Sequence, residues 1–308
     1  MKRKQIPLGF TIFAMILLIL DSSHAGRYAA EGIDLCLRSV IPALFPFLIL
    51  SIYLTGNLAG STGLGSVLIC GFLGGYPTGA QSAAELWRTC RISREYANRL
   101  LLFCSQAGPA FIFGMLAAQF PGFSYLWKLW AVQILSAISV STYVPLNRDH
   151  NSVSPAFAPL SLPSAMQRAL RAMASVCGWV VSFRVLMGYL ARVPLQDETK
   201  VLFSGLIELT NGCMSLHTVE DVSLRFILAA LMLNFGGVCV VFQTASAING
   251  LDIRYYLLGK VLQTGFSLLF SLCFLGYFPA LIPIFSAFLI FQRRNLAKRG
   301  SIPAPVGV

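Results

Sequence analysis

Two polar interruptions, rich in Gly and Pro, break an otherwise apolar chain. The first is Gly71-Phe72-Leu73-Gly74-Gly75-Tyr76-Pro77-Thr78-Gly79-Ala80-Gln81, followed by Ser105-Gln106-Ala107-Gly108-Pro109. The second is Gly205-Leu206-Ile207-Glu208-Leu209-Thr210-Asn211-Gly212-Cys213, followed by Asn234-Phe235-Gly236-Gly237. Lipid offers no hydrogen-bond partners. Broken backbone at membrane depth must therefore be buried in protein or line a watery cavity. Matched breaks in the two halves of one chain point to a solute pathway near the bilayer midplane.

The membrane premise rests on composition. Of 308 residues, 56% are hydrophobic and only 11% charged, against about 25% charged in a soluble domain. Mean hydropathy is +0.72. The net charge of +11 reads as Lys and Arg retained in cytoplasmic loops, because no nucleic-acid motif accompanies it. Eight cysteines occur, Cys36, Cys70, Cys90, Cys104, Cys177, Cys213, Cys239 and Cys273, with no CxxC pair. They read as small buried hydrophobes. His24, His150 and His217 show no ligand spacing, so neither a metal nor another cofactor is expected. There is no HExxH, no GxxxxGK[ST] and no Ser/His/Asp set on one segment. The chain does not read as an enzyme or an ATP-driven pump. Coupling would draw on protons, another ion or the solute gradient.

A full span needs about 20 apolar residues. The hydropathy pattern predicts span 1 over 6–20, an amphipathic linker, and span 2 over 40–58. Span 1 is preferred over a cleaved signal peptide, although Ser23-His24-Ala25 offers a small-residue pattern. A Gly-rich hairpin over 63–86 carries the first break. Span 3 over 98–120 is interrupted at Gly108-Pro109, and span 4 covers 125–145. The polar, Pro-containing stretch 147–163 joins the halves. Span 5 covers 173–190, a second hairpin 201–216, and span 6, broken at Gly236-Gly237, 224–248. Pro279 and Pro283 divide the long region 256–291 into two spans. The tail 292–308 is basic, then Pro-containing.

The domain organisation follows: an N-terminal span and linker over 1–31, a first repeat over 32–146, the linker 147–163, a second repeat over 164–255, C-terminal spans over 256–291, and the tail. Lys2, Arg3 and Lys4 place the N-terminus inside. Tracing the spans then puts Arg88, Arg91, Arg94, Arg99, Arg148, Arg168, Arg171, Arg254 and the basic tail inside too. Arg27, Arg38, Arg192 and Lys200 are exceptions. One hairpin enters from inside and the other from outside. The expected fold class is therefore an all-α polytopic membrane protein. It is an inverted repeat with two re-entrant hairpins and two broken transmembrane helices. Helix starts at Ser93-Arg94-Glu95 and Thr218-Val219-Glu220-Asp221 carry N-cap chemistry with acids in the first turn.

Candidate solute contacts lie at the breaks. A carboxylate deep in a membrane costs about 2.5–3.5 kcal/mol on insertion scales. Glu208 therefore needs a partner, a proton or a task. It either meets solute or protons, or satisfies backbone amides at the hairpin tip. Thr210, Asn211 and Asn234 offer hydrogen bonds beside Gly212, Gly236 and Gly237, which permit unwound backbone. The bland reading of Asn234 is interhelical bonding. In the first half, Tyr76, Thr78 and Gln81 surround Gly75, Pro77 and Gly79. Pro77 removes a backbone donor. Ser105 and Gln106 adjoin Gly108 and Pro109. Half-helix N-termini at such breaks favour anionic groups. Glu85 reads as a partner of Arg88. Gln243 fits pathway lining and packing equally. The run Arg88–Arg99 reads as a topology anchor, with an anion vestibule as the alternative. Trp127 and Trp130 read as interfacial belt residues.

Four stretches carry a resemblance. They are Ser39-Val40-Ile41-Pro42-Ala43-Leu44-Phe45-Pro46-Phe47, the Gly75-Tyr76-Pro77-Thr78-Gly79-Ala80 tip, Ala107-Gly108-Pro109-Ala110-Phe111, and 205–213. The chain resembles, over about 32–248, bacterial sporulation integral membrane proteins with the nucleoside-recognition (gate) domain, related to concentrative nucleoside transporters. The resemblance implies a small-solute transporter in the mother-cell membrane around the forespore. Its implied solute is dipicolinate or a similar anion, with a nucleoside as the alternative. Relatives often carry Lys after the Gly-Ala of the tip, where this chain has Gln81. That departure weakens the case for a doubly charged solute. A non-transporting scaffold for spore formation is the competing reading. Expected partners are a small solute and the lipid bilayer, with no nucleic acid and oligomeric state open.

Overall fold

The computed structural model of the protein describes residues 8–58, 63–142, 144, 159–190 and 196–278. Among these, all regular secondary structure is helical. Five helical stretches are long and apolar enough to cross a membrane: Ser22–Leu54, Phe123–Thr142, Leu162–Tyr189, Val222–Ala247 and Ile253–Phe274. They are compatible with a multi-pass membrane protein.

Helix α1 (Leu8–Leu20) has 13 residues, about 20 Å at the α-helical rise. Helix α2 (Ser22–Leu35) continues through a π turn at Cys36–Val40 into α3 (Ile41–Leu58). The expected linker before span 2 is thus helix, laced by Arg27–Glu31 at 3.7 Å and Arg38–Asp34 at 2.5 Å. These i,i+4 pairs keep a polar sequence helical. Helices α4 (Gly63–Leu73) and α5 (Thr78–Arg88) pack together around a tip at 74–77, where the Tyr76–Pro77 peptide is cis. Helix α6 (Arg94–Leu100) is capped by Ser93, whose hydroxyl accepts from the Tyr96 N–H at 3.2 Å.

The third expected span differs most. The chain leaves helix after Leu100 and resumes only in a π turn at Ala110–Met115, followed by a 3-10 turn at Ala117–Gln119. Leu101-Leu102-Phe103-Cys104 has ordinary helix-forming character, and tertiary contacts described below override it. Helix α7 (Phe123–Thr142) matches span 4. Helix α8 (Leu162–Leu190) begins well before residue 173. Its Pro163 sits in the first turn, where a missing N–H costs nothing.

Helices α9 (Asp197–Ile207) and α10 (Leu209–Met214) are separated by extended Glu208. The cap of α11 (Val222–Phe235) is Asp221, accepting from the Ser223 N–H at 2.9 Å. Thr218, expected at that start, instead ends a 3-10 turn. Helix α12 (Gly237–Ala247) follows a break at Gly236 and Gly237, whose φ values are 84° and 80°. Left-handed backbone at two successive positions is what only glycine adopts without strain. Helix α13 (Ile253–Phe274) completes the described chain. Lys2, Arg3, Lys4, linker residues 147–158, the division at Pro279 and Pro283, and the tail lie outside the described residues.

Helix α13 is inside-out by the standards of a soluble protein. Tyr256, Gly259, Lys260, Gln263, Ser267 and Ser271 are buried, while Leu257, Leu258, Val261, Leu262 and Leu268 are exposed. A membrane helix turns apolar side chains to lipid and small or polar ones to its neighbours. Within Val222–Ala247, 61% of the apolar window is buried, against 22% within Leu162–Tyr189. Helices α11 and α12 therefore form the centre and α8 lies outside them.

Candidate functional site

The first break is held by close backbone approach. A Cβ on Gly71 would lie 1.6 Å from the Cys104 carbonyl oxygen, and one on Gly79 would lie 1.8 Å from it. Only glycine lets α4 and α5 press on the non-helical segment this way. The second hairpin repeats the device. A Cβ on Gly212 would lie 2.2 Å from the Gly205 Cα.

Buried backbone groups must find partners, and those of 101–108 find them in side chains from distant helices. Gln263 of α13 donates to the Leu102 carbonyl at 2.7 Å. Lys260 Nζ donates to the Ser105 carbonyl at 2.5 Å. Gln133 of α7 donates to the Ala107 carbonyl at 3.0 Å. Gln106 donates to the Phe103 carbonyl at 3.1 Å and to Gln263 Oε1 at 2.7 Å, while its own N–H reaches the Gly71 carbonyl at 3.3 Å. Ser105 Oγ accepts from the Ala80 N–H at 3.0 Å. Thr78 Oγ1 caps α4 by donating to the Cys70 and Gly75 carbonyls at 2.6 Å.

Glu208 caps the second break. One carboxylate oxygen accepts from the Thr210 N–H at 3.0 Å and the other from the Asn211 N–H at 2.7 Å. Arg184 of α8 donates to Asn211 Oδ1 at 2.8 Å and to Glu31 of α2 at 2.8 Å. Asn234 donates to the Ala230 carbonyl one turn back, at 2.9 Å. Asn211 Nδ2 and Asn234 Oδ1 are buried with no hydrogen-bond partner among the described residues.

The two breaks meet at a small cavity of about 40 Å³. Tyr76, Ala107 and Gly108 line it from one side, Glu208, Leu209 and Thr210 from the other. Val176 and Gln243 lie on its wall and also on the wall of a second, open cavity of about 250 Å³. That vestibule is lined by Pro77, Gln81, Arg168, Arg171, Ser175 and Ser246 among others. Arg168 pairs with Glu85 at 3.2 Å, and Glu85 lies 3.8 Å from Arg88, its expected partner. Arg88 and Arg94 bond carbonyls between Ala247 and Gly250. Basic side chains thus collect at the vestibule end. Among the described residues its lining contains no carboxylate.

Of the residues the sequence singles out, Tyr76, Glu208, Thr210 and Gly108 face the central cavity, and Gln81 and Pro77 face the vestibule. Thr78, Ser105, Gln106, Asn211 and Asn234 are buried behind the cavity wall and bonded as above. Gly75, Gly79, Pro109, Gly212, Gly236 and Gly237 shape the backbone there. The arginines of the vestibule are Arg168 and Arg171, not the run from Arg88 to Arg99. Lys260, Gln263, Gln133 and Arg184 were not singled out. The signal for the first two was a polar stripe at 256, 260, 263, 267 and 271, the spacing of one helix face.

Lys260 is 1% exposed. Its ammonium also meets Tyr76 Oη at 3.0 Å and Gln263 Oε1 at 3.2 Å. Tyr76 in turn donates to the Leu233 carbonyl at 2.7 Å, at the end of α11. A chain of hydrogen bonds therefore runs from α13 through the first break to the second. A buried ammonium is costly unless it is paired and hydrogen-bonded, and three acceptors offset that cost here. Comparison with protein-family models, characterised proteins and solved structures gives no match.

Proposed function

We propose that the protein is a transporter of a small, polar, anionic solute, working by alternating access between its two breaks. The observation that carries this reading is the central cavity, which takes its walls from both breaks and shares Val176 and Gln243 with the wall of an arginine-bearing vestibule. Solute pathways of secondary transporters lie where discontinuous helices meet. Arg171 lines the vestibule and Arg168 lines it while pairing with Glu85, and the positive charge there favours anions. Glu208, with both oxygens already engaged by amides, acts at the cavity as a fixed part of the tip. The unpaired polar atoms of Asn211 and Asn234 add hydrogen-bonding capacity at the second break.

In this reading the helix pairs α4–α5 and α9–α10 are re-entrant hairpins of an inverted repeat. The glycine crossings in both support it. The vestibule faces the cytoplasm, since arginines gather there, and both termini lie on that side. The resemblance of the tip motifs adds the cell membrane of a sporulating mother cell and a dipicolinate-like solute.

The test is uptake of radiolabelled dipicolinate and of a nucleoside into proteoliposomes. Saturable dipicolinate uptake is expected. Arg171→Gln should raise its half-saturation concentration roughly 2–5-fold, the worth of one partly screened charge. Nucleoside uptake with no anion preference would shift the solute class. No uptake of either by folded protein would favour the scaffold reading.

A further inference from the structure

The surroundings of Lys260 contain more than a lysine needs. Its ammonium is held by three neutral oxygens: the Ser105 carbonyl at 2.5 Å, Tyr76 Oη at 3.0 Å and Gln263 Oε1 at 3.2 Å. The rings of Tyr76 and Tyr256 add their faces at 4.8 and 5.8 Å. Among the described residues Lys260 forms no ion pair within 4.0 Å. Buried lysines ordinarily face a carboxylate. A cage of neutral oxygens, one of them a carbonyl of unwound backbone, is instead the way membrane transporters hold a free alkali cation.

Each oxygen is also fixed by something other than Lys260. Tyr76 is anchored through the Leu233 carbonyl at 2.7 Å. Gln263 is anchored twice, to the Leu102 carbonyl at 2.7 Å and by the Gln106 amide at 2.7 Å. Ser105 follows Cys104, whose carbonyl is seated against Gly71 and Gly79. Helix α13 is pressed onto the same segment, for a Cβ on Gly259 would lie 2.0 Å from the Leu102 oxygen. The cage is therefore set by the fold, and the ammonium enters it on a tether.

We propose that this is a monovalent-cation site that the chain fills with its own lysine. The ammonium of Lys260 stands where a transporter of this build would otherwise bind sodium or potassium. The native protein then needs no free cation to hold its first break. Removing the side chain beyond Cβ should leave a cage that takes a cation from solution.

The test uses the full chain in nanodiscs, with thermal unfolding followed in chloride salts of choline, sodium, potassium and ammonium at equal ionic strength. Choline is too large for the cage and serves as the reference. Wild-type Tm should be the same in all four salts. Lys260→Ala should be less stable in choline and regain about 2–4 °C in ammonium or a fitting alkali cation, rising with the logarithm of its concentration. Lys260→Met, which fills the tether's path without a charge, should be destabilised and indifferent to salt.

A folded Lys260→Ala that ignores every cation would overturn the proposal. So would a Lys260→Met as stable as wild type, or a wild type that is itself stabilised by one cation over choline. If Lys260→Ala folds only when ammonium is present, the proposal is supported. If neither variant folds in any salt, the wild-type series decides: indifference supports a filled site and selectivity overturns it. None of these measurements follows solute movement, so the cation site and the transport reading stand or fall separately.

Discussion

Glu208→Ala is expected to cost about 2–6 kcal/mol of stability and to abolish solute uptake. The carboxylate is 2% exposed and is the acceptor for the N–H groups of Thr210 and Asn211. Truncation leaves both donors buried without a partner, at roughly 1–3 kcal/mol each. Glu208→Gln separates the two possible roles. Its remaining carbonyl oxygen keeps one of the two bonds, so the stability loss should fall to about 1–3 kcal/mol. If uptake survives in Glu208→Gln while it is lost in Glu208→Ala, the residue serves as a cap and carries no proton. If uptake vanishes in both, the negative charge itself is required. Unfolding in mixed detergent gives the first quantity and flux in proteoliposomes the second.

Gly79→Ala should be at least as damaging. The added methyl would meet the Cys104 carbonyl oxygen at 1.8 Å and the Gly71 Cα at 2.7 Å. Both are backbone, so no rotamer change relieves the contact. The segment 101–108 must move, and with it the Ser105 carbonyl that Lys260 holds and the Gln106 N–H that reaches Gly71. Overpacking of this kind costs about 3 kcal/mol or more when backbone has to shift. Gly178→Ala is the control. Nothing lies within 4 Å of a Cβ at that position on α8, so the exchange should be neutral or stabilise by up to about 1 kcal/mol. If thermal unfolding finds Gly79→Ala as stable as wild type, α5 does not press on the unwound segment as described.

The breaks themselves were legible in the sequence because glycine and proline have few uses inside an apolar helix. Gly75-Tyr76-Pro77 and Gly236-Gly237 stand out on that ground, and both fall where helices end. Glu208 stood out by charge. Its partners did not, because a carboxylate at a hairpin tip can bond amides or solute with the same sequence. The width of the first break was hidden. Nothing in Leu101-Leu102-Phe103-Cys104 disfavours helix. The segment is unwound by contacts with Gly71, Gly79, Lys260 and Gln263, which lie far off in sequence. Lys260 was hidden differently. A single lysine in a long apolar run resembles a loop residue until the polar side chains at 256, 263, 267 and 271 are placed on the same face. The vestibule arginines, Arg168 and Arg171, were given only a topological task. Which arginines line a cavity depends on how α8 lies against α5 and α12, and hydropathy carries no record of that.

The glycine crossings set a mechanical rule. Where Gly71 and Gly79 bring two helix backbones together there is nothing soft to compress, while at Gly205 and Gly212 the Met232 side chain shares the contact. Gly71 against Gly79, and Gly205 against Gly212, act as rivets. In the proposed transport cycle each pair of legs swings as one stiff paddle, with its bending confined to the tip and to the chain ends. The Gln81 leg of the first paddle leads to Tyr76, which is hydrogen-bonded to the Leu233 carbonyl just before the second break. Stiffness in the paddles leaves the contact between them as the place where motion is spent.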